Sequence, residues 1–400
     1  LNGFFFTALC LLVLRWLHAP RQWRWPGLMA LFFGLSITNH QTILVNSLAF
    51  LAAMFFADRV LCRDTALLAA IASAIFAWQS NLRFLWVVVA LLLLIYVYLM
   101  FSDPEAWSVR NLFTLLFSLM LGGGGLLGFC WLEERPGNFW GWLALNKIPA
   151  IYFFVGSVTL VAWLAMLFYD LISERAETLR SAAPFFLSLL MFVAGNSMYV
   201  YMPVSSNTNP PMNWGYTRTT EGFRHHITRG QYERIRPSTD PRKWPGQYGQ
   251  FFEDLLENFT LPLALLALLT LLFCFDFPKR EKDYIAFTIL CFFFMGIFMV
   301  FLMNPKMDLQ SRFINRVFYS LAHGVYALWI GLATIFLVYL AQRTRRHLPV
   351  LLFGVVTALW VVLGICFKMP GVAEAGALSG TAFFFLALNL ILRLPQPRLP

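Results

Sequence analysis

Charge is what this sequence has least of. Only 12% of its residues are Asp, Glu, Lys or Arg while 59% are hydrophobic, against about 25% charged in ordinary soluble domains. No water-soluble core hides that much apolar surface, so a soluble globular chain is excluded. Acids are scarcer than bases, 20 against 30, leaving a net charge of +10. No basic stripe stands clear of the apolar runs, which excludes nucleic acid as a partner. The excess reads as the basic bias of cytoplasmic loops in a membrane protein. Cysteine is sparse too: six residues in or beside apolar runs, without metal-ligand spacing, so they read as core filler rather than a disulfide framework. The apolar runs also lack the alternation a membrane barrel requires. An initial Met and a signal peptide are missing: Leu1 already lies in an apolar run, and the expectation is a chain that starts inside a longer protein.

What is present is a series of apolar runs, mostly 15–25 residues long, the length that crosses roughly 30 Å of hydrocarbon as helix. About thirteen are expected: 3–17, 26–38, 42–57, 66–78, 84–101, 112–132, 150–169, 184–203, 259–276, 284–303, 317–341, 347–368 and 377–393. Arg and Lys number sixteen in one alternate set of loops and seven in the short loops of the other. The richer set is cytoplasmic by the positive-inside rule. The Asn39–His40 turn, the 133–147 loop, the long polar insert and residues 304–316 then face outward. The spans hold almost no ionisable group, His323 being the clearest, with Asn196 and Asn389 as amides. Ion-driven carriers keep such groups at mid-membrane, and many also show a repeat of hydropathy. Neither is seen here.

The chain divides into a first membrane region (residues 1–203), an outer loop (residues 204–258) and a second membrane region (residues 259–400). Within the loop, Thr219 or Thr220 caps a short helix with Glu221 in its first turn and Gly230 as a stop. Phe223 and Ile227 then face the protein or membrane, with Arg224, His225, Thr228 and Arg229 on the polar sides. Residues 250–258 read as a second amphipathic helix in the interface plane. Arg218, Arg224 and Arg229 suit an anion, since guanidinium forks match phosphate oxygens; the alternative is contact with lipid head groups. Trp214, Tyr216, Tyr232, Trp244 and Tyr248 can stack on a sugar or simply anchor the loop. His225 and His226 are adjacent and diverge by about 100° on a helix, which disfavours a shared metal.

Two smaller features lie on the same expected face. Arg312 and Arg316, one helical turn apart, can present to one ligand or snorkel to the interface. The Asn39–His40 tip joins two short segments, either as a bend lining a cavity or as a tight turn with a capping Asn. The glycine run 122–125 reads as a place of close helix approach or a kink.

Taken together, the "Gly-Leu-Ser-Ile-Thr-Asn-His-Gln-Thr" turn at 34–42, the "Asn-Pro-Pro-Met-Asn-Trp-Gly" and "Glu-Gly-Phe" motifs at 209–223, the "His-Ile-Thr-Arg-Gly-Gln-Tyr" motif at 226–232 and the Arg312-Phe pair resemble bacterial relatives of the transmembrane protein O-mannosyltransferase family. The resemblance spans essentially the whole chain. It implies an all-α integral membrane protein, a polytopic bundle of the glycosyltransferase-C type with one long outer loop. The implied activity is transfer of a sugar, mannose in that family, from a polyprenyl-phosphate donor to a protein or glycan acceptor. Its expected partners are that lipid, the acceptor and membrane lipids. Such enzymes carry an acidic catalytic residue in the first outer loop, which in this chain would lie upstream of Leu1, so no catalytic residue is assigned. Donor-binding residues are expected among Asn39, His40, Trp214, Arg218, Glu221, Arg224, Arg229, Arg312 and Arg316. Glu221 and Asp308 are outer-face acids in assisting roles. The leaving phosphate needs arginine cations or a metal, so no cofactor is assigned and a divalent cation stays open as the alternative. A lipid-linked glycan flippase and a non-catalytic scaffold are the rival readings.

Overall fold

The structure, a computed structural model, describes residues 1–80, 85–102, 108–134, 138–173, 177–227 and 237–344. Arg229, Gly230, Tyr232 and the expected spans 347–368 and 377–393 lie outside them. Every regular element among the described residues is helical. Eight helices are long and apolar enough to cross a membrane, which places the chain among multi-pass membrane proteins. Two compact units are present, Leu1–Glu233 and Arg234–Pro400.

The first unit holds α1 (Asn2–His18), α2 (Arg24–Asn39), α3 (Ser47–Ala57), α4 (Arg59–Ser80), α5 (Leu85–Ser102), α6 (Val109–Glu134), α7 (Phe139–Leu145), α8 (Lys147–Ile172), α9 (Glu177–Asn196), α10 (Tyr201–Asn207) and α11 (Thr220–Ile227). Their long Leu, Phe, Val and Ala runs favour helix in lipid because all backbone polar groups bond within the segment. Helices α2 and α9 pack backbone to backbone. A Cβ on Gly195 would stand 2.4 Å from the Leu31 carbonyl, and one on Gly34 would stand 2.6 Å from that of Phe192. The 122–125 run allows close approach as expected: a Cβ on Gly123 would meet the Tyr152 carbonyl of α8 at 3.2 Å.

The expectation that the spans carry almost no ionisable groups is corrected here. Asp58 accepts the Val60 and Leu61 amides at 3.0 Å each, so α4 starts at Arg59 rather than at 66. That early start draws Arg63 and Asp64 inside, 1% and 2% exposed. They pair at 3.0 Å, and Arg110 of α6 reaches Asp64 at 3.3 Å. Asn111 accepts a further bond from Arg63. Charges this deep persist only when paired and hydrogen-bonded.

The second unit holds α12 (Trp244–Leu272), α13 (Lys279–Phe292), a π-helical turn Phe293–Phe298, α14 (Met299–Met303) and α15 (Leu309–Thr344). The expected surface helix 250–258 is the middle of α12, with Gln250, Phe251, Asp254 and Leu255 buried. Hydropathy missed this because the buried face carries polar residues. Thr260 interrupts α12 at φ 59°, ψ 155°, two residues before Pro262, whose ring removes a helical hydrogen bond. Asn304 (φ 45°) turns the chain back, and Asp308 caps α15 by accepting the Ser311 amide at 2.9 Å and hydroxyl at 2.7 Å. Helices α12 and α15 run parallel. Asp254 meets Arg312, the Ala264 carbonyl takes the Tyr326 hydroxyl at 2.8 Å, and the Thr270 hydroxyl reaches the Trp329 carbonyl at 2.7 Å.

Candidate functional site

Two i,i+4 pairs on neighbouring helices make the most concentrated charge cluster among the described residues of the second unit. On α15, Arg312 and Arg316 point from successive turns towards α12; there, Glu253 and Glu257 lie one turn apart with Asp254 between them. Asp254 is 0% exposed, while Glu257 is 53% exposed. Oδ1 of Asp254 accepts Nε and Nη2 of Arg312 at 3.2 Å each and Nε of Arg316 at 3.0 Å. Glu257 takes Nη2 of Arg312 at 3.0 Å and also bonds Arg316. Glu253 stands 3.5 Å from Arg312. The carboxylates therefore hold one edge of each guanidinium. Nη1 of each has no hydrogen-bond partner among the described residues, so two cationic edges one turn apart are oriented and open.

Below this clamp the α12–α15 seam stays polar. The Asn258 amide donates to the Asp254 carbonyl at 2.7 Å and lies 3.5 Å from Nδ1 of His323. The Phe251 ring stacks 6.2 Å from His323 and packs edge-on 5.1 Å from Tyr319. Asp254 Oδ2, the Tyr319 hydroxyl and His323 Nε2 are buried and have no hydrogen-bond partner among the described residues. Above it, Gln247 donates to Asn304 Oδ1 at 2.9 Å and the Pro305 carbonyl at 3.0 Å. The Ser238 amide reaches the Phe301 carbonyl at 2.8 Å, so the segment before α12 is tied to α14.

The first unit gathers other expected residues. Asn39 ends α2, but the ring of His40 rather than Asn39 caps the following 3-10 turn Gln41–Asn46, with Nδ1 2.7 Å from the Thr42 hydroxyl. Gln41 then joins the turn to the insert: its Nε2 donates to the Ile227 carbonyl at 2.9 Å and the Tyr199 hydroxyl at 3.1 Å. Helix α11 forms where expected, capped by the Thr219 hydroxyl, which accepts the Gly222 amide at 3.0 Å. Glu221 and Arg224 lie exposed on it, with Phe223 and Ile227 half-buried. Arg218 bonds the Asn209 side chain and lies over the Tyr216 ring at 5.9 Å. Trp214 opens the short 3-10 turn Trp214–Tyr216.

The structure thus brings Asn39, His40 and α11 to one end of the first unit, and Arg312 with Arg316 to one carboxylate in the second. Sequence reasoning missed Asp254, Glu257 and Tyr319. The legible signal was the i,i+4 acid pair at 253 and 257 matching the i,i+4 arginine pair at 312 and 316. A divalent cation does not suit the clamp, whose acids all face arginines, and among the described residues no three His, Cys, Asp or Glu side chains gather as a cation site.

The fold and the clamp define a helical, multi-pass membrane protein with an arginine–carboxylate site. No family model, no curated protein and no solved structure matches the chain.

Proposed function

We propose that this chain is the membrane-embedded portion of a glycosyltransferase that takes a sugar, mannose by the sequence resemblance, from a polyprenyl-phosphate donor to a protein or glycan acceptor on the outer face of a bacterial inner membrane. The observation that carries the reading is the pair of open Nη1 edges on Arg312 and Arg316, aimed by Asp254 and Glu257. Glycosyl transfer from a lipid phosphate leaves charge on that phosphate, and fixed guanidinium donors stabilise it without reorganising. Asp254 contributes by aiming the cations. The Asn39–His40 turn and α11 supply separate polar surface for the acceptor, and the loop-charge bias assigns both features to the outer side. The finer architecture of thirteen spans in a glycosyltransferase-C arrangement belongs to the same proposal.

The test is binding of citronellyl phosphate, a short prenyl phosphate, to the chain in lipid nanodiscs, followed by sugar transfer from a polyprenyl-phosphate donor in vesicles. Arg312→Gln with Arg316→Gln should weaken binding at least ten-fold, by loss of charge-assisted hydrogen bonds of about 1.5–3 kcal/mol each. Unchanged binding removes the phosphate role. The flippase reading draws on the polar α12–α15 seam. It predicts lipid-linked glycan flux across sealed vesicles without transfer.

A further inference from the structure

Three side-chain atoms in the α12–α15 seam are buried without a hydrogen-bond partner among the described residues: Asp254 Oδ2, the Tyr319 hydroxyl and His323 Nε2. Asp254 and Tyr319 are both 0% exposed. Buried polar groups are seldom left alone, because each costs its desolvation. Here three occur on adjoining turns of one interface. On α15, Tyr319 follows Arg316 by three residues and precedes His323 by four, so all three share a face. On α12, the partners of that face are Asp254, which takes Arg316 at 3.0 Å, and Asn258, which approaches His323 at 3.5 Å. Tyr319 lies between these two contacts, its ring against Phe251.

The hydrogen-bonding roles of the three atoms are complementary. The Asn258 amide nitrogen donates to the Asp254 carbonyl at 2.7 Å, which fixes the orientation of the amide. Its other N–H then points to Nδ1 of His323, so Nδ1 accepts and the proton of the neutral ring sits on Nε2. The seam therefore presents one donor (His323 Nε2–H), one donor and acceptor (Tyr319 O–H) and one acceptor (Asp254 Oδ2). A single water has two donors and two acceptors, and buried waters typically make about three bonds to such groups.

We propose that a buried water joins Asp254 Oδ2, the Tyr319 hydroxyl and His323 Nε2, and that Tyr319 and His323 act through it as positioning residues for the Asp254–arginine clamp. With Oδ2 held from below, the plane of the carboxylate is set, and Oδ1 aims both guanidiniums. The consequence for ligand binding rests on the reading of that clamp as a phosphate site; the water site itself does not.

Two measurements separate these layers. Solid-state NMR of the 15N-histidine-labelled chain in lipid bilayers should show His323, identified by its loss in His323→Gln, as the Nε2–H tautomer with a cross-peak to water. Tyr319→Phe, which keeps the ring and its packing, should shift that signal. An Nδ1–H tautomer, or an Nε2–H signal unmoved by Tyr319→Phe, overturns the proposal. In the citronellyl phosphate assay, Tyr319→Phe should weaken binding about five-fold, the size of one lost hydrogen bond. His323→Gln places an amide nitrogen where Nε2 stood and should keep affinity within about two-fold, whereas His323→Asn, which mimics only Nδ1, should lose as much as Tyr319→Phe. Equal loss in both His323 variants overturns the positioning role. If wild-type chain binds no citronellyl phosphate while the NMR signals appear as expected, the water site stands and the phosphate reading falls.

Discussion

Arg316 donates its Nε to Oδ1 of Asp254 at 3.0 Å, the same oxygen that Arg312 reaches at 3.2 Å. One buried carboxylate oxygen thus orders two guanidiniums from successive turns of α15, while its second oxygen faces the α12–α15 seam. That division of labour makes Asp254 the residue on which the cluster depends.

Asp254→Ala leaves Arg312 and Arg316 to the half-exposed Glu257 and the exposed Glu253, without the buried oxygen that orders both. Breaking a buried pair by removing one partner is expected to lower the unfolding midpoint in detergent by roughly 6–12 °C. Glu253→Ala, with its exposed side chain 3.5 Å from Arg312, should change it by no more than about 2 °C, since exposed pairs contribute little. Equal shifts in the two variants would refute the central place of Asp254.

Gln41→Ala removes the two bonds that hold the Ile227 carbonyl and the Tyr199 hydroxyl. At about 0.5–1.5 kcal/mol net for each bond, amide exchange across α11 should accelerate several-fold, with α4 and α5 unaffected. Unchanged exchange in α11 would show that other contacts hold the insert to the turn.

Gly222→Ala should displace α11 from the preceding turn. A Cβ there would stand 2.2 Å from the Tyr216 carbonyl and 2.6 Å from that of Gly215, both backbone atoms that cannot swing aside. Gly124→Ala is the control: its Cβ would meet nothing within 4 Å, and alanine favours helix by about 1 kcal/mol. Limited proteolysis should cut Gly222→Ala faster within 209–227 and leave Gly124→Ala as resistant as the parent chain.

Asp308 lies outside the membrane-spanning segment. The Ser311 amide and then its hydroxyl hold the Asp308 carboxyl below its ordinary value. A folded-state value below the unfolded one means that the cap's contribution is complete above the ordinary carboxylate range and disappears as pH falls through the lowered value. Amide exchange at Ser311 and Arg312 should therefore show cap protection near neutral pH that is lost only in strong acid. Asp308→Ala should remove that protection at every pH.

Much of the architecture was legible in the order of residues. Continuous Leu, Phe, Val and Ala runs leave helix as the only way to satisfy the backbone in lipid, and eleven of the expected segments coincide with helical elements among the described residues. Local signals also placed α11, because Thr219 and Glu221 act within one turn of their own position. Where a segment began proved less legible: Asp58 starts α4 early and thereby buries Arg63 and Asp64, a consequence of capping that average hydropathy does not register.

The site divides in the same way. Spacing alone established that Arg312 and Arg316 share a face, since residues four apart on a helix are neighbours. Which helix that face meets was decided only by tertiary packing, which carries Asp254 across 58 positions of sequence to Arg312 and sets Asn258 beside His323. Hydropathy and helical periodicity act over a few residues, whereas the choice between an arginine open to lipid and one clamped by a buried acid is made by the contact of two helices.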